Sequence, residues 1–128
     1  MSLPSSGKLL SLDLGKRFTG VAVSDPSQRV VFPRDEIETK DAAILVQRLK
    51  YLIEGEKISG LIVGLPVNAE SEETAQSTWV REIMDKVRPS IPVHFEDEAY
   101  SSGTLGIEVR GRKDSLVAQR LMEKVLGL

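Results

Sequence analysis

The chain has 128 residues, 41% of them hydrophobic and 28% charged, with a net charge of -2 at pH 7. That is the size and balance of one soluble globular domain, and it excludes both a membrane span and a broad cationic surface for non-specific nucleic-acid binding. The absence of cysteine rules out disulfides, thiol catalysis and zinc–cysteine sites, and a lone histidine, His94, rules out a multi-histidine metal centre. No basic-then-apolar leader pattern is visible, and a cytoplasmic location is expected.

Residues 1–7 read as a loose tail, leaving 8–128 as a single domain. Lys8–Leu14 and Thr19–Ser24 are apolar runs joined by a tight basic turn at Gly15, Lys16 and Arg17, which predicts two strands. Asp25-Pro26-Ser27 has turn chemistry. Arg29–Pro33 follows as a third strand, and such short connections imply an antiparallel meander.

Asp41–Glu54 has the helical period, with Leu45, Leu49, Leu52 and Ile53 on one face and Gly55 at its end. Ile58–Gly64 is an uninterrupted apolar run, the signature of a strand buried on both faces in a parallel pair. Leu65–Glu70 reads as a loop. Glu72–Val87 is a second helix, with Gln76, Val80, Ile83, Met84 and Val87 on one face, Trp79 packing beside it, and Glu72 and Glu73 in the first turn. Pro92–Glu96 is the fifth strand. Glycines recur between Ala99 and Arg112, where a short helix over Thr104–Val109 is one expectation. Ser115–Leu126 is the last helix, with Leu116, Val117, Leu121 and Val125 or Leu126 on the buried side.

Right-handed crossovers place the fourth strand beside the first and the fifth outside it. The fold class is therefore α/β: a five-stranded mixed sheet in the order 3-2-1-4-5, flanked by helices on both faces.

Asp13 interrupts a run that otherwise reads as a central strand, where an ionised carboxylate is costly unless a cation pairs with it. Asp97 and Glu98 follow the fifth strand, which runs parallel to the first, and sites in such sheets form beyond the carboxyl ends of the strands. Asp114 begins the last helix; read alone it is an N-cap, but a helix lying across that edge brings it to the other two. Asp13, Glu98 and Asp114 are thus candidate ligands for Mg²⁺ or Mn²⁺, which prefer oxygen donors. Lys16 and Arg17 flank Asp13, and Arg110, Arg112 and Lys113 precede Asp114; all five are placed to meet a phosphate backbone. Asn68, in the loop after Gly64, borders the same place. His94 is assigned no role.

Four ordered blocks of the chain resemble the YqgF/RuvX family of Holliday-junction-resolvase-like proteins. Leu12-Asp13-Leu14-Gly15 through Gly20-Val21-Ala22-Val23-Ser24-Asp25 is similar to its opening D-x-G…G-x-A-x-S-D. Ile62-Val63-Gly64-Leu65-Pro66-Val67-Asn68 is similar to V-G-L-P-x-N. Asp97-Glu98-Ala99-Tyr100-Ser101-Ser102 compares with D-E-R-x-[ST]-[ST], and Asp114-Ser115-Leu116-Val117-Ala118 with D-x-x-A-A. The chain departs from the pattern at Ala99, where the family usually has arginine, at Glu70 or Ser71, where glycine is common, and in a shortened stretch between Ser102 and Asp114.

The resemblance implies a ribonuclease H-like fold, with Asp13, Glu98 and Asp114 as the metal-binding catalytic acids. It also implies a metal-dependent nuclease acting on structured nucleic acid, with family members regarded as maturing the 16S rRNA precursor in ribosome biogenesis. Other expectations are a non-catalytic nucleic-acid or ribosome-assembly module and a Holliday-junction resolvase of DNA recombination and repair. An actin-like ATPase lobe, suggested by Asp13-Leu14-Gly15 followed by Gly20, lacks the second lobe such enzymes close. Resolvases act as dimers, so a homodimer is expected on the same ground.

Overall fold

Alternating side chains sort the first strand onto two faces. A computed structural model describes residues 2–99 and 113–128, with the side chains of Ala99, Lys113 and Asp114 outside that description. Among the described residues the strands are β1 (Leu9–Leu14), β2 (Phe18–Ser24), β3 (Val31–Glu38), β4 (Gly60–Val67) and β5 (Val93–Ala99). The helices are α1 (Ala42–Gly55), α2 (Ala75–Val87) and α3 (Lys113–Leu126). The sheet order is β3-β2-β1-β4-β5, as expected. β1 pairs antiparallel with β2 and parallel with β4, and β4 pairs parallel with β5.

Leu10, Leu12 and Leu14 point to one face, where they meet Val21, Val23, Leu61, Val63 and Leu65 beneath α1 and α2. Leu9 points to the other, with Ala22, Val31 and Ile62, beneath Ala118, Leu121 and Met122 of α3. Ser11 and Asp13 belong to this second face by the two-residue period. A fully buried leucine contributes about 1.5–3 kcal/mol relative to an exposed one. Leu10, Leu12 and Leu61 are fully buried, so the central strands carry much of the core energy.

Several boundaries differ from the sequence reading, each for a local reason. β3 begins at Val31 because Asp25 Oδ1 accepts the N–H groups of Arg29 and Val30 at 2.8 and 2.9 Å, extending the turn. It then runs past Pro33, which an edge strand tolerates since the missing N–H faces no neighbour. β4 continues through Pro66 to Val67 where a loop was expected. The β1 pairing stops at Leu12 with Val63, while β5 stays paired as far as Ala99. Pro66 therefore lies past the end of β1 and leaves no ladder bond unmade there.

α2 starts at Ala75, not Glu72. Asn68 Oδ1 accepts from the Glu70 and Glu72 N–H groups at 3.0 and 2.9 Å, which keeps that segment out of a helix. Glu73, expected in the first helical turn, instead pairs with Arg81 at 2.8 and 2.9 Å. On α3 the buried residues are Ser115, Ala118, Leu121 and Met122, so the covered face is offset from the expected Leu116 and Val117. Asp114 is the second residue of α3 and not its cap. The short helix expected over Thr104–Val109 lies outside the described residues.

The first residues are tied down, contrary to the loose tail expected. Gly7 N–H donates to Pro26 O at 2.8 Å, Gln28 Nε2 donates to Pro4 O and Gly7 O at 3.0 and 3.1 Å, and Leu3 packs on the α3-side core. The β2–β3 turn supplies these partners. Gln28 adopts φ 58° within that turn.

Asp25 organises the turn as a carboxylate. Ser27 Oγ donates to its Oδ2; that bond first, then the Val30 N–H, lowers its pKa to about 2. A folded-state pKa below the unfolded value gives stability that is full above pH 3.8 and lost as the pH falls toward 2. Asp25→Ala is thus expected to lower the denaturation midpoint at pH 7, with the two proteins converging near pH 2. A constant gap across that range in urea melts would assign the loss to packing.

Candidate functional site

Register brings the first two acids together. Ser11 pairs with Ile62 and Leu12 with Val63; continuing by one residue sets Asp13 beside Gly64. Gly64 pairs in turn with Glu96, and Pro66 with Glu98. Paired residues share a face, so Asp13, Gly64, Glu96 and Glu98 all belong to the α3 side. Glu98 does not extend away from the sheet. Its Oε2 would lie 2.6 Å from a Cβ built on Gly64, so the carboxylate folds back over β4 toward β1. Neighbouring strands are about 4.8 Å apart, which puts the Glu98 carboxylate one strand from Asp13.

α3 crosses the sheet above these residues. Ser115 Oγ accepts the Val21 N–H at 3.1 Å. Ser11 Oγ donates to Ala118 O at 2.8 Å. Leu121 reaches Gly64, its Cδ2 3.1 Å from the same built Cβ, and Lys124 Nζ lies 3.2 Å from Glu96 Oε2. The helix therefore starts over β2 and ends over β5. Its start is pinned one residue from Gly20, the partner of Asp13 across the hairpin, and Asp114 immediately precedes Ser115. The backbone thus carries the third expected acid toward the same strand ends; its side chain is outside the description. Among the described residues no group of three or more His, Asp or Glu is arranged to hold a metal ion.

The local charges are uneven. Burial pushes the Glu98 carboxyl above the ordinary glutamate range, and Lys124 opposes that shift. Glu96 goes the other way: the His94 ring, 2.8 Å away, holds its carboxyl low, and Lys124 adds to this. Asp97 faces solvent on the opposite side of the strand.

Lys16 and Arg17 are exposed at the tip of the β1–β2 turn, near the end of the strand that bears Asp13. Asn68 is exposed too, but its Oδ1 is occupied by the loop N–H groups described above, so the structure gives it a loop-shaping part. Arg110 and Arg112 lie outside the described residues, as does the Lys113 side chain. Sequence reading missed Ser115, Lys124 and the close approach at Gly64. A signal for the first was present: Ser115, Ala118 and Met122 have helical spacing, and the small polar member of that set takes the buried backbone donor.

A family model described as RuvX, Holliday junction resolvase, matches residues 7–127. The chain belongs to the RuvX family. A relative from Maridesulfovibrio salexigens named "Putative pre-16S rRNA nuclease" is 34% identical over 97 residues, covering 74% of this chain and 72% of its own. One of the same name from Oleidesulfovibrio alaskensis is 33% identical over 133 residues, covering 94% and 92%. Among solved structures, T. thermophilus RuvC in complex with a Holliday junction substrate aligns with a TM-score of 0.58 at 11% identity, over 94% of this RuvX chain and 96% of that one. Such low identity speaks to architecture alone, and the architecture is the ribonuclease H-like one.

The donor set suits a hard divalent cation. The strand-end acids offer only oxygen, and a half-buried carboxylate raised by burial is one that a cation would compensate. The cost of Glu98 also has a sign. A raised folded-state pKa means that stability is lost as pH rises above 4.5, the ordinary glutamate value. In chelator at pH 8, Glu98→Gln is expected to unfold at a higher temperature than the parent, with the gap closing toward pH 4. A lower midpoint at pH 8 would mean that the ionised carboxylate supports the fold.

Proposed function

We propose that this chain is a divalent-metal-dependent nuclease that hydrolyses phosphodiesters of structured nucleic acid, with the 16S rRNA precursor as its substrate in ribosome biogenesis. The observation that carries the proposal is the Glu98 carboxylate folded over Gly64, one strand from Asp13, on the face where α3 begins. The names of the relatives supply the substrate class.

Asp13, Glu98 and Asp114 would hold Mg²⁺ or Mn²⁺. When bound, such ions activate an attacking water and stabilise charge on the leaving oxygen. The chain's own residues do the rest. Asp13 stands on the most central strand and has little freedom to move. Glu98 lies over Gly64 of β4, where an added Cβ would be 2.6 Å from its Oε2. Lys16 and Arg17 would meet phosphates from the hairpin tip, as would Arg110 and Arg112, which precede α3 in the chain, and Lys113, its first residue. Contacts of that kind set affinity and register on the backbone, not sequence preference. Asn68 serves this surface by fixing the β4–α2 loop.

A junction-resolving activity on branched DNA is the second reading. The description of the family and the RuvC complex favour it. One assay separates the readings: a 5′-extended 16S precursor RNA and a four-way DNA junction are each incubated with the protein in Mg²⁺ or Mn²⁺. Cleavage of the RNA alone supports the proposal. Binding of either substrate without cleavage in both metals would make the chain a non-catalytic assembly module, a reading that fits Ala99.

Asp13→Asn is expected to lower kcat by at least about 100-fold, since loss of a ligand should exceed the 10–100-fold cost of disturbing its support. Lys16→Ala with Arg17→Ala should instead raise KM and flatten the salt dependence of binding. Steady-state kinetics at two salt concentrations check both.

A further inference from the structure

We propose that Gly64 is a positioning residue: the missing side chain on β4 is the seat that holds the Glu98 carboxylate over the central strands. The inference rests on the reading of Glu98 as a site acid and adds the reason this position carries no Cβ. Backbone conformation does not demand glycine here, because Gly64 is absent from the residues with positive φ. Space does. A Cβ would meet Glu98 Oε2 at 2.6 Å and Leu121 Cδ2 at 3.1 Å.

The first contact is much closer than real Cβ atoms tolerate, yet it involves the far end of a flexible side chain. Glu98 sits on an edge strand and can swing outward at small cost. The Leu121 contact is tight but needs only a few tenths of an ångström of adjustment. The expected result of adding a methyl is therefore a folded protein whose Glu98 carboxylate has left its place. Loss of function without loss of fold distinguishes a seat from a packing glycine. Compare Gly15, where an added Cβ would lie 2.6 Å from the Phe18 carbonyl oxygen; that atom is backbone and cannot step aside.

The test pairs Gly64→Ala with Glu98→Asp, whose shorter side chain does not reach the seat. Mn²⁺ binding by calorimetry and metal-free crystal structures are the readouts. Gly64→Ala in the parent should weaken Mn²⁺ by about 10-fold or more, and its crystal structure should show Glu98 in a new rotamer clear of β4. In the Glu98→Asp background the same substitution should change Mn²⁺ affinity by less than about 2-fold, because the clash is already gone. Equal losses in both backgrounds, or an unmoved Glu98, would overturn the proposal. If Gly64→Ala fails to fold, both pairs are repeated with Leu121→Ala, which opens the other side. A parent that binds no Mn²⁺ would sink the metal-nuclease reading, while the Glu98 rotamer would still decide the role of Gly64.

Discussion

Two buried serines hold α3 to the sheet, and the candidate site depends on that attachment. Ser11 Oγ donates to Ala118 O, and Ser115 Oγ accepts the Val21 N–H. Both serines are fully buried, where a satisfied bond contributes only about 1 kcal/mol but an orphaned group costs about 1–3 kcal/mol. The bonds therefore act chiefly by penalising every other placement of the helix. Apolar contact through Ala118, Leu121 and Met122 presses α3 onto the sheet without fixing where along the strands it sits. The serines fix that. The Val21 bond also coincides with a slip in the β2–β3 register: Thr19 pairs with Ile37 but Val21 with Arg34. Bulges of this kind often re-aim groups beside functional sites. Here the slip lies where a helix side chain takes a strand N–H, next to the hairpin partner of Asp13.

The two sheet edges are each closed by side-chain contacts. β3 carries Pro33, Arg34, Asp35 and Glu36 in succession, a combination that discourages pairing with another chain. Arg34 is further tied to Glu56 by two bonds of 2.7 and 2.8 Å, which turns the edge toward α1. At the opposite edge Arg81 lies 4.9 Å from the centre of the Phe95 ring and also grips Glu73. That joins α2 and the loop before it to β5. Both flanks of the sheet are engaged in this way, and Asp13, Glu96 and Glu98 lie toward the carboxyl ends of β1 and β5.

Much of the architecture was legible because the signals were local and redundant. Hydrophobic alternation, turn residues and crossover handedness each pointed to the same strand order. The boundaries that moved share a cause: a polar side chain capturing backbone N–H groups from a distance that periodicity does not register. Asp25 delayed β3 in this way, and Asn68 delayed α2. Pro66 was misread because proline argues against a strand only where a neighbour needs its N–H, and that depends on where β1 stops. That Asp13 and Glu98 lie toward the same end of the sheet was legible from strand direction. What sequence could not convey is that Glu98 doubles back two residues along β5, because that depends on the space left by a glycine on another strand.

The same fold-back sets the electrostatics of the site. Had Glu98 pointed outward from its edge strand, water would have solvated it and its carboxyl would titrate as an ordinary glutamate. Folded over Gly64, beneath Leu121, it gives up much of that solvation. Among the described residues the compensating charge is Lys124, and it is shared: its ammonium group is 3.2 Å from Glu96, and its side chain is 66% exposed. Glu96 has a second partner in His94 and ends with a lowered pKa, whereas burial dominates at Glu98, against the attraction of Lys124, and its pKa ends raised. Two carboxylates two residues apart on one face are thus driven in opposite directions. Glu96 is an anchor for the end of α3. Glu98 is held above the ordinary glutamate range by its burial, on the face of the sheet that also bears Asp13.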